Sequence, residues 1–506
     1  MITLSSLHLP ADCVVHGPVD VEVTGVSQDS RTVEPGFLYA ALPGANVHGA
    51  RFAPDLVTRG LRAVLTDAEG HALLRSALDH GALADLTVLA VENPRAHLGG
   101  LAAQVYRTDP EAPRVLGVTG TNGKTTTTYL LDGLLQRLGR TTGVIGTVAT
   151  TIAGTRLPSA RTTPESPDLH SILARMRGKD VDVCAMEVSS HALDQHRVDG
   201  VTFDVVGFTN LTQDHLDFHP TMRDYFAAKA RLFTPGFART GAVVLADDWA
   251  RELARTSAVP VVTISREPAD APDWRVAEES GEAFVLVGPE GVRIRARSPL
   301  PGDFNVLNTA LAVVMLHLHG VAPDALEAAA CDFSVSVPGR MEVVHPAAPR
   351  AVVDYSHTSD ALAKVLDGLR DSDPLVVVFG AGGDRDALKR PLMGAAAARG
   401  ADVVIVTDDN PRSEDPAAIR RAVLLGVQDE IAQGRARVGR DDVHEIGDRA
   451  AAIAAGVAAA GATGTLLVAG KGHETGQTVG NIVHPFDDRE RTREAVALAA
   501  SDGPER

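Results

Sequence analysis

The segment VLGVTGTNGKTTT, residues 115 to 127, leaves the chain few folds to choose from. Its short apolar run predicts a buried strand, Val115–Thr119, and the glycines after it predict a tight loop. Lys124-Thr125 then opens a run that predicts a helix over Thr125–Leu138, stopped at Gly139. Glycine lets backbone N–H groups close around phosphate oxygens, and the positive end of a helix adds to the attraction. In that arrangement Lys124 reaches the β- and γ-phosphates and the Thr125 hydroxyl ligates Mg²⁺. Glycines 117, 120 and 123 follow a G-x-x-G-x-x-G-K-T spacing, with Val118 where the strict G-x-x-x-x-G-K pattern has glycine. Strand, loop and helix still come in the order that phosphate binding requires. A nucleoside triphosphate site is therefore expected on Gly120, Thr121, Asn122, Gly123, Lys124, Thr125 and Thr126.

Around this segment strands alternate with helical patterns, which predicts an α/β protein with mostly parallel sheets covered on both faces. With 506 residues, about three domains are expected. Composition and turn signals divide the chain into a small N-terminal α/β domain (1–94), a central P-loop domain with a parallel sheet (95–337) and a C-terminal Rossmann-like domain (338–506). A helix over Ala96–Tyr106 leads into the turn-rich linker DPEAPR, and the terminal SDGPER is expected to be frayed. A net charge of −17 argues against a protein that coats nucleic acid, although a local cationic pocket for an acidic ligand remains compatible with it. Cys13, Cys184 and Cys331 lie far apart without a CxxC pair, which fits a reducing compartment and no cysteine-based zinc site. No basic-then-apolar leader opens the sequence and no run approaches a membrane span. A cytoplasmic location is expected, with no membrane insertion.

In a doubly wound sheet functional side chains collect where strands end. VDVCAMEVSSH puts Glu187 first after an apolar strand, followed by Ser189, Ser190 and His191; VVGFTNLTQDHLDFH puts Asn210, Asp214, His215 and Asp217 after the next. Carboxylate plus imidazole suits Mg²⁺ or Mn²⁺ set on nucleotide phosphates. In the last third GAGGDRD (380–386), VTDDNPRSEDP (406–416) and GKGHE (470–474) each follow an apolar strand and should converge on one crevice. They offer Arg385, Arg412, Lys471 and Glu474. Two guanidinium forks can grip carboxylates and an acid can hold an ammonium group, the inventory of a site for a zwitterionic or diacid amino acid.

Together these motifs resemble the Mur ligase family. The resemblance is carried by DSR (29–31), GVTGTNGKTTTT, RTTPES (161–166), CAMEVSSHALDQHR (184–197), FTNLTQDHLDFH, YFAAKARLF (225–233), GDFNVLN (302–308), PGRMEVV (338–344), VDYSHTSDAL (353–362), GGDRDALKRPLMG, TDDNPRSEDP and AGKGHETGQ, so it spans all three domains. It implies ATP and Mg²⁺ as cofactors, with Lys124 and Thr125 on phosphate and metal, and Glu187 and His215 as further magnesium ligands. Lys229 matches a lysine that is carbamylated in the family and helps to place a second magnesium; by itself it is only a lysine on an amphipathic helix. Lys124, Glu187, His215 and Lys229 are thus the implied catalytic residues. Asn305, Asn308, Arg340 and Asp354 match residues that hold adenine, ribose and phosphate. Ser30, Thr162, Thr163, Ser189, Gln195 and Arg197 match contacts to UDP-MurNAc-dipeptide. Arg385, Asp409, Asn410, Pro411, Arg412, Gly470 and Glu474 match the amino-acid pocket, where a DNPR arginine is of the diaminopimelate type.

Against the family pattern, Ser356 and Ser359 stand for Ala and Pro, Ala381 for Cys, Arg161 for a polar amide, and Gln28 for an apolar residue. The resemblance implies a monomeric ligase of peptidoglycan precursor synthesis, and so of cell shape and division. It would add meso-2,6-diaminopimelate to the D-Glu γ-carboxylate of UDP-MurNAc-L-Ala-D-Glu through an acyl phosphate. Use of L-lysine, L-ornithine or LL-diaminopimelate is the alternative within that reaction. More distant alternatives are a folylpolyglutamate synthetase-like ligase, against which DSR, GDRD and DNPR speak, and a P-loop ATPase switch, which leaves Arg385, Arg412 and Glu474 unexplained.

Overall fold

The computed structural model describes residues 2–108, 113–159 and 161–501; the first four residues of the DPEAPR linker and all but the first of SDGPER lie outside the described residues. Its strands form three main sheets. The first has five strands in the order Val14–His16, Thr87–Ala90, Ala63–Thr66, Phe37–Ala40 and Gly25–Ser27, all parallel except the edge strand Val14–His16. Alternation along its strands feeds two cores. Leu38, Ala40, Leu65 and Leu89 face one side, while Tyr39, Val64 and Val88 face the other.

Helix Pro94–Tyr106 starts where the sequence boundary at 94 falls, yet it packs Leu98, Leu101 and Ala102 into the first of those cores. The same helix also packs against helix Ser166–Arg177 of the central unit, so it bridges the two units on either side of the 94/95 division. Pro94 opens the helix: Asn93 caps it, accepting from Ala96 N at 3.3 Å, and a proline in the first turn gives up no intrahelical hydrogen bond.

The central sheet has eleven strands. Arg114–Thr119 lies between Val183–Glu187 and Phe203–Phe208, parallel to both. The chain leaves Arg114–Thr119 toward Thr142–Ile145 on one side and leaves Phe203–Phe208 toward Ala238–Val244 on the other. Such a divergence opens a crevice at the carboxyl ends of the strands. Leu116 and Val118 pack on helix Lys124–Arg137 through Leu130, Leu131, Leu134 and Leu135, and Val115 faces the opposite core. Helix Asp303–Leu318 is buried almost all round from Ala310 to Leu316, and its first turns carry Asn305 and Asn308 to the crevice.

Antiparallel strands extend both margins of this sheet. A hairpin, Thr150–Ile152 with Thr155–Leu157, adds to one, and Ala283–Val287 with Arg293–Arg297 adds to the other. RIRAR in the last strand alternates exposed arginines with buried Ile294 and Ala296, a one-sided strand at the end of the sheet.

The third sheet runs Glu342–His345, Arg350–Asp354, Thr465–Ala469, Leu375–Phe379, Val403–Val406 and Val443–Glu445, parallel except at its first strand. Four of its strands end at the loops YSH, GKGHE, GAGGDRD and TDDNPR, which brings these loops to one end of the sheet. Among the described residues no helix is long and apolar enough to cross a membrane.

Candidate active site

A cavity of about 670 Å³ opens where the carboxyl ends of the central strands meet the third sheet. Its floor is the loop after Arg114–Thr119. Gly120 (φ 145°) and Gly123 (φ 89°) take left-handed backbone values that other residues resist. A Cβ on Gly120 would stand 1.9 Å from Thr209 Oγ1, and one on Gly123 2.6 Å from Asn308 Oδ1. Gly117 serves differently: it lies in the strand, and a Cβ there would strike the Phe203 ring at 2.7 Å. Helix Lys124–Arg137 starts at Gly123 with no side chain capping it. Its first N–H groups are thus left for an anion. Lys124 Nζ donates to Gly120 O and Thr121 O, both at 2.8 Å, and burial lowers its pKa against the opposing pull of Glu187 and Asp214.

Glu187 ends its strand almost wholly buried. Its carboxylate accepts from Thr125 Oγ1 (3.0 Å), Thr147 N (2.7 Å) and Thr147 Oγ1 (3.0 Å). Thr162 contacts the Thr147 hydroxyl at 3.0 Å, and Thr163 Oγ1 donates to Glu187 O at 2.9 Å and accepts from Ser189 N at 3.1 Å. The paired threonines of RTTPES are thereby locked to the loop after Glu187. From the third domain Arg340 lies over the Tyr355 ring at 4.1 Å and donates to Thr125 Oγ1 at 3.3 Å. Asp354 accepts from Met341 N and Ser356 N, each at 2.7 Å, which fixes the turn carrying Arg340. Asn122 Nδ2 donates to Asp360 Oδ2 at 3.3 Å across the same cleft.

Thr121 to Thr126, Thr162, Glu187, Ser189, His215, Asn305, Asn308, Arg340 and Asp354 all line this one cavity. Lys229 and His215 stand differently from Glu187. Thr221 caps helix Met222–Ala230, and from its last turn Lys229 Nζ reaches Gly120 O at 2.8 Å beneath the loop, 4.6 Å from the Tyr225 ring centre. Burial, then the charge of Lys124, holds its amine well below the ordinary lysine range. His215 sits 3.5 Å from Asp214, and burial lowers it to about 3. Thr125 and Glu187 form a hard oxygen pair suited to a divalent ion. Among the described residues no three His, Cys, Asp or Glu side chains gather as a closed metal cage, so phosphate oxygens and water would have to complete the coordination.

Of the residues expected on the UDP side, Ser30, Thr163, Gln195 and Arg197 do not line the cavity. Arg197 donates to Gln195 Oε1 at 2.6 Å and pairs with Glu165 at 3.0 Å; Arg95 and Arg161 reach the same carboxylate at 3.3 and 3.7 Å. Arg161 thus joins an arginine cluster around one acid.

The amino-acid group lies apart from the cavity lining, at the carboxyl end of the third sheet. Arg385 and Arg412 share a wall: a Cβ on Gly382 would lie 3.0 Å from Arg412 Nη1 and 3.8 Å from Arg385 Cγ. Arg412 takes φ 52° and donates to Gly383 O at 2.6 Å. Between the DNPR and GKGHE loops Asn410 Nδ2 donates to Glu474 Oε2 at 2.9 Å, and the wholly buried Lys471 donates to Asn410 Oδ1 at 3.1 Å and to Glu474 Oε2 at 3.3 Å. Asp409 lies 3.7 Å from Lys471, and a Cβ on Gly470 would meet it at 3.0 Å. Pro411 is buried and its carbonyl abuts Gly383. Sequence reading missed Arg390, which holds Glu414 through two bonds of 2.9 and 2.7 Å and so braces the arginine wall. It also missed Thr147; nothing local marks either residue.

His473, beside Glu474, is pulled down to about 3 by burial and then by Arg340, Arg489 and Arg156. Unfolding releases it to about 6.5, so its stabilising contribution is complete above that pH and is lost as pH falls toward 3. His473→Gln should flatten the fall of Tm between pH 6.5 and 4 relative to the parent, as read by thermal melts across buffers.

A phosphate-binding loop at the end of a parallel strand, facing a cavity that loops of a second parallel sheet help to line, defines a nucleotide-dependent α/β enzyme. Comparison with known proteins agrees. The family descriptions "Mur ligase family, catalytic domain", "Mur ligase middle domain" and "Mur ligase, glutamate ligase domain" match residues 22–106, 118–316 and 339–472. A UDP-N-acetylmuramoyl-L-alanyl-D-glutamate--2,6-diaminopimelate ligase of Streptomyces coelicolor is 48% identical over 94% of this chain and 92% of its own. A UDP-N-acetylmuramyl-tripeptide synthetase of Leifsonia xyli is 43% identical over 96% and 94%. A solved structure of a UDP-N-acetylmuramoyl-L-alanyl-D-glutamate--2,6-diaminopimelate ligase superposes with a TM-score of 0.65 at 30% identity, covering 99% of each chain. The chain belongs to the Mur ligase family.

Proposed function

We propose that the protein joins 2,6-diaminopimelate to UDP-MurNAc-L-Ala-D-Glu at the expense of ATP, a step in building peptidoglycan precursors. The observation that carries this is the pairing of two sites. A phosphate-binding loop shares its cavity with Thr162 and Ser189, and the loops at the carboxyl end of the third sheet carry two guanidinium groups beside Gly382 together with a hydrogen-bonded Asn410, Lys471 and Glu474. A Streptomyces relative of similar length named as the 2,6-diaminopimelate ligase supports it.

In the proposed chemistry the γ-phosphoryl of ATP passes to the D-Glu γ-carboxylate, giving an acyl phosphate and ADP. The amine of the incoming residue attacks the acyl carbon, and phosphate and a proton leave as the amide forms. The backbone N–H groups of residues 121–126 and the Lys124 ammonium hold the transferring group, a task that is mostly positioning and charge stabilisation. Asn305, Asn308, Arg340 and Asp354, which line the cavity, would hold the nucleotide, and Ser189 and Thr162, on the same lining, would meet the acceptor. Thr125, Glu187 and His215 would hold Mg²⁺, which supplies charge neutralisation on the phosphates. Burial and the charge of Lys124 lower the pKa of Lys229, which favours the uncharged amine that carbamylation by CO₂ requires, and its place under Gly120 would set a carbamate beside the loop.

Arg385 and Arg412 grip carboxylates of the amino acid while Glu474 and Asn410 receive its ammonium group. Two guanidinium groups favour diaminopimelate, with its second carboxylate, over lysine or ornithine. The test is phosphate release from ATP that requires both UDP-MurNAc-L-Ala-D-Glu and the diamino acid, with the UDP-linked product gaining that residue by mass. Phosphate release without an amino acid would favour a switch ATPase instead.

A further inference from the structure

One buried charge holds the amino-acid loops from behind. Arg449 opens helix Arg449–Ala460 and is 2% exposed. Its Nε and Nη2 donate to the two carboxylate oxygens of Asp488, each at 2.7 Å, and both side chains are sealed from solvent. The same guanidinium has donors left over. Nη2 also donates to Ala469 O at 2.9 Å and Nη1 to Asp408 O at 3.3 Å. Those two carbonyls immediately precede Gly470 and Asp409: the first is where the GKGHE loop leaves the sheet, the second lies in the loop two residues past strand Val403–Val406, at the start of DNPR. At the front the same loops meet through Asn410, Glu474 and Lys471. Arg449 therefore closes a ring whose open face is the pocket.

Stability alone accounts poorly for this choice of residues. Sealing an ion pair from water costs much of what the attraction returns, and packed apolar side chains do as well or better. What an apolar pair cannot do is bridge two backbone carbonyls and a carboxylate at once. A planar fork with five donors can, and an ammonium group on a flexible stem cannot reach all three.

We propose that Arg449, pinned by Asp488, is a positioning residue for the amino-acid step. It fixes the separation of the Asp408 and Ala469 carbonyls, and with it the spacing of Asn410 and Glu474. Arg449 touches no substrate. The proposal rests on the pocket being the diamino-acid site.

Its test is steady-state kinetics of the full chain with each substrate varied in turn. Arg449→Lys keeps the charge facing Asp488 but loses the bridge. The expected result is a KM for diaminopimelate raised about 10-fold or more, with KM for ATP and for the UDP-linked substrate within about twofold, the split that displaced loops produce. Asp488→Asn keeps the shape of the partner and should move the same parameter in the same direction by a smaller factor. If Arg449→Lys does not yield folded protein, Asp488→Asn decides alone. Unchanged KM values with kcat falling in step with the folded fraction, or equal changes in all three KM values, would overturn the positioning role. Parent protein that needs no amino acid for turnover would overturn the pocket itself, and the proposal with it.

Discussion

Replacing Lys124 with alanine should lower kcat for phosphate release by about 10³-fold or more, since single preorganised donors at a developing oxyanion contribute about 10² to 10³ and this one carries full charge. The physical reason is visible without any ligand. Lys124 Nζ is held by Gly120 O and Thr121 O, each at 2.8 Å, so it already points along the rim of the loop where phosphate would lie. The site is poorly solvated, which strengthens every charge within it. Because its two partners are backbone carbonyls of the same loop, their loss should leave the fold intact, with Tm within a few degrees of the parent. Glu187 and Asp214 lose a neighbouring cation, so nucleotide affinity should fall as well, read as a raised KM for ATP. A Lys124→Ala protein with kcat within tenfold of the parent would show that the loop does not stabilise the transferring group.

The second large effect is at Arg412. Arg412→Ala should reduce kcat/KM for diaminopimelate about 100-fold, mostly through KM, because a charge-assisted carboxylate contact is lost. With L-lysine as the amino acid the loss should be far smaller, since lysine presents one carboxylate and Arg385 remains. Backbone strain does not confuse the comparison: residue 412 already sits at φ 52° with a side chain, and alanine adopts that conformation at similar cost. The bond to Gly383 O at 2.6 Å is also lost, so Tm should be measured alongside. Equal losses for both amino acids would mean that Arg412 holds the loop and not the substrate's second carboxylate.

The parts of the fold that were legible in the sequence share one property, local apolar contrast. Leu375–Phe379, and Thr465–Ala469 after its first residue, are uninterrupted apolar runs between polar or glycine-bearing stretches, and buried parallel strands need that pattern. The strands at Ala283–Val287 and Arg293–Arg297 escaped because they bury one face only, and RIRAR reads as charge before it reads as period two. Pro94 was legible as a discontinuity but not as a helix start, and the domain to which that helix belongs depends on what Leu98 and Leu101 meet, which no window of sequence contains.

The candidate site divides in the same way. Strand-end residues such as Glu187, Asp354 and Asn410 stand out locally, and the fold gathers them at strand ends. Thr147 on Glu187, Asp360 on Asn122 and Asp488 on Arg449 join segments up to 238 residues apart, so only the folded chain reveals them.

Phosphate release from ATP, with UDP-MurNAc-L-Ala-D-Glu present and meso-diaminopimelate, LL-diaminopimelate, L-lysine or L-ornithine supplied one at a time, tests the central claim most directly. Release that depends on meso-diaminopimelate, and is slow or absent with lysine and ornithine, is the predicted result. Release at the same rate whichever amino acid is present, or with none, would contradict it.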